Sequence, residues 1–263
     1  MPSMADIHPT AIIDPTCEIA DDVKIGPYCV VGPHVTLGKG CVLHNHVVIG
    51  GPSTFGECNE FFPFAVIGLK TQDLKYKGEP TFLEVGHHNV FRENCNINRS
   101  TSAETKTIIG NYNNFLINSH CGHEVVVGDH CILSGFAGVA GHCHIEDWAI
   151  ISGFAALHQF VRVGKHAMVG GCARVGKDVP PFTIVEGHPA TVRSINLVGM
   201  QRRGFTEDEI RAVMLCSKKL FLNKGCNQAE GLAAIEADER SGQNPCAKYM
   251  VDFVRSSERG CLQ

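Results

Sequence analysis

A large apolar residue recurs at every sixth position along most of the chain. The repeat pauses between Leu69 and Phe82, weakens between residues 98 and 107, and then continues to Val175. A period of six matches neither an α-helix nor a strand with alternating faces. It predicts short strands and turns that wind around a three-sided solenoid, with roughly 18 residues in each coil and about 4.8 Å between coils. The positions in phase are Ile7, Ile13, Ile19, Ile25, Val31, Leu37, Leu43, Ile49, Phe55, Phe61, Ile67, Val85, Phe91, Ile97, Ile109, Phe115, Cys121, Val127, Leu133, Val139, Ile145, Ile151, Leu157, Val163, Val169 and Val175.

Small residues accompany the large ones in a fixed register. A glycine often follows the apolar residue, as at Gly26, Gly38 and Gly128, and we expect it to supply the positive φ that a sharp corner requires. Two positions before the apolar residue lies a smaller side chain, and six of the 13 cysteines occupy this register. We interpret these cysteines as small, buried apolar side chains. They are Cys17, Cys29, Cys41, Cys95, Cys131 and Cys143.

The repeat fades after Val175, and the pattern becomes helical further on. Thr206–Glu209 forms a capping box, and Pro245 opens a later helix. The chain therefore divides into a solenoid over residues 1–192 and a C-terminal helical domain over residues 193–263. We expect the helices to cover the open edge of the solenoid.

Composition excludes several classes of protein. Of the 263 residues, 44% are hydrophobic and 19% are charged, which excludes an intrinsically disordered chain. The net charge of −4 argues against a nucleic-acid-binding protein. We expect no integral membrane segment, because no apolar run reaches about 18 residues. The 13 cysteines are odd in number and form no CxxC pair, and no secretory signal precedes them, so a cytoplasmic location is the default expectation.

Three of the 14 histidines come into similar phase in successive coils: His123, His142 and His158. Phase alone leaves three interpretations open, namely a metal site, an acid–base site and a structural ladder. Glu124 follows His123 directly, so that its carboxylate can fix the imidazole tautomer and stabilise the protonated ring. An imidazole in this setting suits general-base catalysis.

Two other segments carry candidate chemistry. The polar segment Gln72–Pro80 lies in the first interruption of the repeat, where a loop expelled from a solenoid is often functional. Asp73 is able to accept a hydrogen bond from a sugar hydroxyl, and Lys75 is able to bind a phosphate. Arg202 and Arg203 form a candidate landing site for an anionic partner, with ordinary solvated charge as the alternative.

Six short motifs follow one another along the chain: Ile7–Ala11, Gln72–Tyr76, Leu157–Phe160, Met168–Cys172, Asp178–Pro181 and Gln201–Phe205. In this order they resemble the family of acyl-[acyl-carrier-protein]–UDP-N-acetylglucosamine O-acyltransferases, which act first in lipid A synthesis. The resemblance covers essentially the whole chain. It implies a left-handed parallel β-helix of hexapeptide repeats plus a C-terminal helical domain, a hand opposite to that of most parallel crossovers.

The resemblance also implies a reaction and its machinery. A homotrimer with active sites between neighbouring β-helices would move a 3-hydroxyacyl group from acyl carrier protein to the 3-hydroxyl of UDP-N-acetylglucosamine. His123 matches the general base, Glu124 the acid that orients it, and the N–H of Gly141 the donor to the oxyanion. No metal and no cofactor are implied.

Further positions match the family's substrate contacts. Gly171 matches the position that gauges acyl length, and a glycine there leaves room for a longer chain. The positions that match contacts to the sugar nucleotide and to other parts of the substrates are Gln72, Asp73, Lys75, His120, His142, His158, Gln159, Asn196, Arg202 and Arg203.

The sequence departs from the family pattern at four positions. Glu124 is one methylene longer than the usual aspartate, Asn98 and Ser100 replace a frequent histidine and glycine, and Val198 stands where an acidic residue is common. The departures leave open N-acyl transfer to a 3-amino UDP-sugar. Two other classes also stay open: a metalloenzyme similar to γ-type carbonic anhydrase and a non-catalytic solenoid.

Overall fold

The predicted solenoid is confirmed by a computed structural model that describes residues 5–222, 228–236 and 244–263. In this part of the chain, 28 short strands form three sheets. Each of the first 23 strands pairs in parallel with the strand three places further along, so that Ile25 lies beside Leu43 and Leu43 beside Phe61. The apolar residue of each hexad therefore stacks on the equivalent residue of the next coil.

The strands form one sheet on each of the three sides of the solenoid, with 11, 9 and 8 strands. Sheet A contains β1 (Asp6–Ile7), β4 (Lys24–Ile25), β7 (Val42–Leu43), β10 (Glu60–Phe61), β13 (Val90–Phe91), β16 (Asn114–Phe115), β19 (Ile132–Leu133), β22 (Ile150–Ile151), β25 (Met168–Val169), β27 (Thr183–Gly187) and β28 (Ala190–Ile195). Sheet B contains β2 (Ile12–Ile13), β5 (Val30–Val31), β8 (Val48–Ile49), β11 (Val66–Leu69), β14 (Asn96–Asn98), β17 (His120–Cys121), β20 (Gly138–Val139), β23 (Ala156–Leu157) and β26 (Arg174–Val175). Sheet C contains β3 (Glu18–Ile19), β6 (Val35–Leu37), β9 (Ser53–Phe55), β12 (Phe82–Val85), β15 (Lys106–Ile109), β18 (Val126–Val127), β21 (His144–Ile145) and β24 (Arg162–Val163).

The core is the lumen of the solenoid, which the large apolar residues fill. In the middle coils the phenyl rings of Phe61, Phe91 and Phe115 stack with centroids 4.9 and 5.1 Å apart. All three side chains are fully buried. The first coil is different, since Ile7 is 40% exposed. Its inner face lacks a preceding coil in the described residues, so the prediction of an inward, buried position holds only from the second coil onward.

The expected role of the glycines at the corners is wrong for all but one of those that follow a hexad residue, the exception being Gly68 with a φ of 80°. Positive φ occurs two residues after the glycine, as at Tyr28 after Gly26, and almost always at non-glycine residues. The glycines serve close approach between coils instead. A Cβ at Gly26 would lie 2.7 Å from the carbonyl oxygen of His44, and one at Gly38 would lie 2.6 Å from that of Gly56. A side chain there would push adjacent coils apart.

Both interruptions of the repeat are loops at the same corner, the B–C corner between sheets B and C. Loop 1 (residues 70–81) connects β11 to β12, and loop 2 (residues 99–105) connects β14 to β15. The loops leave the stacking of the hexad residues unchanged, because Ile67 still pairs with Ile97 across loop 1. Two successive coils therefore carry a loop at one place on the surface.

The far end of the solenoid is closed by an antiparallel hairpin of β27 and β28, on which a helix packs. The predicted capping box is confirmed, because the Glu209 N–H donates to Oγ1 of Thr206 and the Thr206 N–H donates to Oε2 of Glu209. Pro245 opens the last helix, also as predicted. The helices are α1 (Leu197–Arg202), α2 (Glu207–Ser217) with a π-helical continuation (Lys218–Leu222), α3 (Gln228–Glu236) and α4 (Pro245–Arg255).

The helices are bound to the solenoid as well as to each other. The guanidinium of Arg162 lies 4.4 Å from the ring centroid of Phe253 and donates to Ser256 of the last helix. The division at residues 192 and 193 stays a prediction. In the described ranges, every helix is too short or too polar to cross a membrane.

Candidate active site at the B–C corner

His123 lies at the B–C corner, two residues after β17 and one coil beyond loop 2. The imidazole is nearly enclosed, with 8% of the residue exposed. Glu124 takes the corner position with positive φ, which turns the chain and brings its side chain back beside the ring.

A short hydrogen bond of 2.5 Å joins Nδ1 of His123 to Oε2 of Glu124. Because a carboxylate only accepts, Nδ1 donates and Nε2 keeps its lone pair. The second oxygen of Glu124 accepts from the N–H groups of Thr101 and Ser102 in loop 2, both at 2.8 Å. Burial raises the pKa of Glu124, but these hydrogen bonds together with those from His123 and Thr105 outweigh it and hold the pKa below its usual value.

The backbone of the next coil lies against the other side of the imidazole. A Cβ at Gly141 would lie 2.5 Å from both Cε1 and Nε2 of His123, so only a glycine fits there. Within the described residues, the Gly141 N–H donates to no acceptor. His142 follows, with its ring edge-on to His123 at a centroid distance of 5.0 Å and stacked on Phe160 at 4.6 Å.

A cleft of about 470 Å³ opens in front of Nε2 of His123. Oδ2 of Asp73 lies 3.7 Å from this nitrogen, and Oδ1 of Asp73 accepts from the N–H of Lys75. Burial lowers the pKa of His120, whose Nδ1 donates to Asn96. The cleft is lined by Gln72, Asp73, Lys75, Asn98, His120, Gly122, His123, Ala140, Gly141, His142, Gln159 and Phe160.

Eight of the predicted residues thus line this cleft, and a ninth, Glu124, is hydrogen-bonded to His123, whereas His158 and Gly171 lie elsewhere. His158 is exposed and absent from the lining of this cleft, and its Nδ1 lies 3.4 Å from Nη2 of Arg259. Gly171 follows β25 of sheet A and lies at the A–B corner, between sheets A and B. The sequence grouped His158 with the other histidines because their spacing is close to 18 residues. In the structure, the residue that stacks on His142 from the next coil is the corner residue Phe160, and His158 lies two residues before that corner.

Three predicted contact residues lie near the C-terminal helices. Asn196 is buried and caps α1, because its Oδ1 accepts from Gly199 and its Nδ2 donates to the His166 carbonyl oxygen. Arg202 is exposed in the last turn of α1. Arg203 lies 5.0 Å from the ring centroid of Trp148. Their roles in binding substrate stay predictions.

The donor atoms of His123, Glu124 and His142 lie within 4.8 Å of one another, close enough to surround a metal ion. The donor set fits poorly. Oε2 of Glu124 is the acceptor of the short bond from Nδ1 of His123, and Oε1 is occupied by two backbone N–H groups. A metal would have to displace the hydrogen bonds that hold the pair together.

Sequence reasoning missed the loop 2 residues Thr101 and Ser102, which hold Glu124. It also missed Phe160, whose ring lines the cleft and stacks on His142. The available signal was the weakened repeat between residues 98 and 107, where a polar run replaces a strand.

Two family models match the chain. One describes domain 2 of UDP-N-acetylglucosamine O-acyltransferases and matches residues 178–262. The other describes the six-repeat hexapeptide of bacterial transferases and matches residues 16–51.

Relatives match over nearly the full length. The acyl-[acyl-carrier-protein]–UDP-N-acetylglucosamine O-acyltransferase of Akkermansia muciniphila is 60% identical over 98% of this chain and 99% of its own. The structure of the UDP-N-acetylglucosamine acyltransferase from Bacteroides fragilis 9343 superposes with a TM-score of 0.94 at 37% identity, over 98% of this chain and all of that one. The Moraxella catarrhalis enzyme gives 0.90 at 40% identity, over 98% and 99% of the two chains. The predicted fold class, a left-handed parallel β-helix with C-terminal helices, is confirmed.

Proposed function

We propose a function from one premise: the chain belongs to the family of acyl-[acyl-carrier-protein]–UDP-N-acetylglucosamine O-acyltransferases. It is an O-acyltransferase of lipid A synthesis, with acyl carrier protein as the donor of the acyl group and UDP-N-acetylglucosamine as its acceptor. We further propose that the group is a 3-hydroxyacyl chain and that the acceptor atom is the 3-hydroxyl oxygen of the sugar.

The observation that carries the mechanism is the orientation of His123. Its Nδ1 donates to Glu124, so the free lone pair on Nε2 faces the cleft beside Asp73. Nε2 removes the proton from the sugar hydroxyl as the oxygen attacks the carbonyl carbon of the acyl thioester. The imidazolium that forms is stabilised by the ionised Glu124, whose lowered pKa keeps the carboxylate charged.

The attack converts the carbonyl oxygen into an oxyanion, and the Gly141 N–H is placed to donate to it. Collapse of the tetrahedral intermediate breaks the carbon–sulfur bond. The proton on Nε2 passes to the departing thiolate of the acyl carrier protein, so that His123 ends the cycle neutral. Asp73, Lys75, His120, His142 and Gln159 line the same cleft and are proposed to hold the sugar nucleotide.

We also propose a homotrimer and a cytoplasmic location. Apolar side chains stay exposed along the A–B corner, where Phe136 and Phe154 stack at 4.8 Å and are 51% and 63% exposed. Such a patch favours contact with another copy. The 12 cysteines in the described ranges are free thiols, which is typical of a reducing compartment.

The test replaces the proposed base. In His123→Ala we expect a loss of turnover of at least about a hundredfold with UDP-N-acetylglucosamine and a 3-hydroxyacyl carrier protein, with an unchanged oligomeric mass. The matched control is His44→Ala, because His44 also pairs with a glutamate, Glu60, at 2.8 Å but lies outside the cleft. Equal turnover in the two variants would contradict the assignment of the base.

The departures from the family pattern at Glu124, at Asn98 in β14 and at Ser100 in loop 2 raise one question, whether the acceptor sugar carries a 3-hydroxyl or a 3-amino group. The same assay with a 3-amino UDP-sugar separates O-transfer from N-transfer. We expect the hydroxyl sugar to react faster, because Nε2 of His123 is placed to remove the proton of an attacking hydroxyl. Preference for the amino sugar would overturn the proposed acceptor atom.

A further inference from the structure

Two buried threonines join the loops on either side of the imidazole pair. Oγ1 of Thr101, in loop 2, donates to Oγ1 of Thr71, in loop 1, at 2.8 Å. The two residues are 9% and 5% exposed, so water competes little for this hydrogen bond.

On one side, Thr101 reaches the acid that orients the base. Its backbone N–H donates to Oε1 of Glu124 at 2.8 Å, beside the parallel donation from Ser102. Thr101 therefore uses its N–H toward the Glu124–His123 pair and its hydroxyl toward loop 1.

On the other side, Thr71 reaches the carboxylate in the cleft. Its Oγ1 accepts from the N–H of Asp73 at 3.0 Å. The turn continues as Oδ1 of Asp73 accepts from the N–H of Lys75, which leaves Oδ2 directed at Nε2 of His123, 3.7 Å away.

We propose that Thr101, through Thr71, is a positioning residue that fixes the Asp73 carboxylate relative to the His123–Glu124 pair. This rests on the proposed function, because Asp73 matters here as a contact to the sugar nucleotide. A continuous run of hydrogen bonds leads from the base to the sugar-binding loop, and the Thr101–Thr71 bond is its side-chain joint. An Asp73 carboxylate that is no longer held in place binds the sugar nucleotide less tightly, so loss of the joint weakens substrate binding.

The test removes the hydrogen bond between the two threonines. Thr101→Val and Thr71→Val keep the shape of the side chain, and Thr101→Val keeps the N–H that donates to Glu124. We expect Thr101→Val to lower kcat/KM for UDP-N-acetylglucosamine about fivefold, as for the loss of one hydrogen bond, through a higher KM for the sugar nucleotide. Thr71→Val should lower it at least as much, because it also removes the acceptor of the Asp73 N–H. KM for the acyl donor stays unchanged, and Thr101→Ser restores wild-type values.

The double variant sharpens the result. Because Thr71→Val already breaks the bond that Thr101→Val removes, we expect the double variant to lose no more than Thr71→Val alone, rather than the product of the two single losses. Backbone bonds from Arg99 to Leu69 and from Glu104 to Pro80 keep both loops docked, so the variants should fold.

Two neighbouring threonines provide matched controls. Thr81 ends loop 1 and Thr107 follows loop 2, and both are fully buried with a hydroxyl that lacks a hydrogen-bond partner within the described residues. Thr81→Val and Thr107→Val should leave KM for the sugar nucleotide at the wild-type value.

The outcomes separate this inference from the proposed function. Wild-type protein without turnover would contradict the function itself. Wild-type turnover that Thr101→Val leaves unchanged, or lowers no more than Thr81→Val does, would overturn the positioning role alone. Losses that multiply in the double variant, or that fall equally on both substrates, would do the same.

Discussion

A single methylene distinguishes Glu124 from the aspartate expected at its position, and the structure shows what the longer side chain does. One carboxylate spans two places, the imidazole of His123 and the backbone N–H groups of loop 2. The departure therefore leaves the orienting pair intact and changes its support. The sequence predicted the pair from adjacency, but not the loop that holds it, because a nest of backbone N–H groups has no residue-type signature.

Gly171 allows a test at the same scale. A Cβ there would meet its nearest atom, the Gly153 carbonyl oxygen, at 3.4 Å, which is ordinary contact. Gly171→Met should therefore leave the melting temperature unchanged. If Gly171 gauges acyl length, the added side chain excludes the end of a long chain, and we expect kcat/KM to fall at least about tenfold for the longest preferred donor.

Rates with short donors provide the internal control for Gly171→Met, because they need no space at that position. The measurement is kcat/KM for a series of acyl carrier proteins of increasing acyl length. An unchanged optimum length in a stable variant would remove Gly171 from the gauge.

At the scale of elements, the residues at the corners follow a regular arrangement that the hexad pattern does not predict. The corner residue has a positive φ that bulky side chains seldom adopt, yet one corner presents six rings in succession. Neighbouring rings lie nearly parallel, with centroids 4.0 to 6.2 Å apart, so stacking along the solenoid compensates for the backbone conformation. The column consists of His88, Tyr112, His130, Trp148, His166 and Phe182.

His166 makes this column sensitive to pH. Burial lowers its pKa from 6.5 to about 4, and the charges of Arg203 and Lys165 act in the same direction. The unfolded chain takes up a proton on this ring near pH 6.5, whereas the folded protein does so only near pH 4. The unfolded state thus binds more protons in this window, and the free energy of unfolding falls as the pH decreases through it.

Replacing the ring tests this dependence. Nδ1 of His166 is buried without a hydrogen-bond partner in the described residues, and Phe182 shows that the column accepts a phenyl ring. We expect the melting temperature of His166→Phe to decrease less than that of wild type between pH 6.5 and about 4. Parallel decreases in the two proteins would contradict the assignment.

The secondary-structure elements also show how much of the fold the sequence predicts. The hexad phase predicted the strands, the register of 18 residues and both loops, because every coil repeats the same burial. It misplaced the corner residue, since a glycine beside an apolar residue reports close approach between coils rather than backbone conformation. It also gave no placement for Asn196 and Arg203, whose contacts come from the helices folding back onto the last coils.

At the scale of the whole molecule, two predicted site residues lie at different corners. His123 is at the B–C corner and Gly171 at the A–B corner. A cyclic trimer joins two different surfaces at each contact, so the A–B corner of one copy is able to face the B–C corner of the next. An acyl chain that reacts at His123 and ends at Gly171 then requires two copies.

Mixed trimers decide whether the site is shared. Alone, His123→Ala lacks the base, and Gly171→Met should turn over the longest donor at no more than about a tenth of the wild-type rate for lack of space. Unfolding and refolding an equal mixture places an intact His123 against an intact Gly171 at about a quarter of the contacts, so turnover of that donor should return to about a quarter of the wild-type rate. Mixing the assembled variants without unfolding should restore none. If refolded mixtures also stay inactive at a mass near three times 28.5 kDa, then each copy holds its acyl chain alone, and the trimer serves stability rather than catalysis.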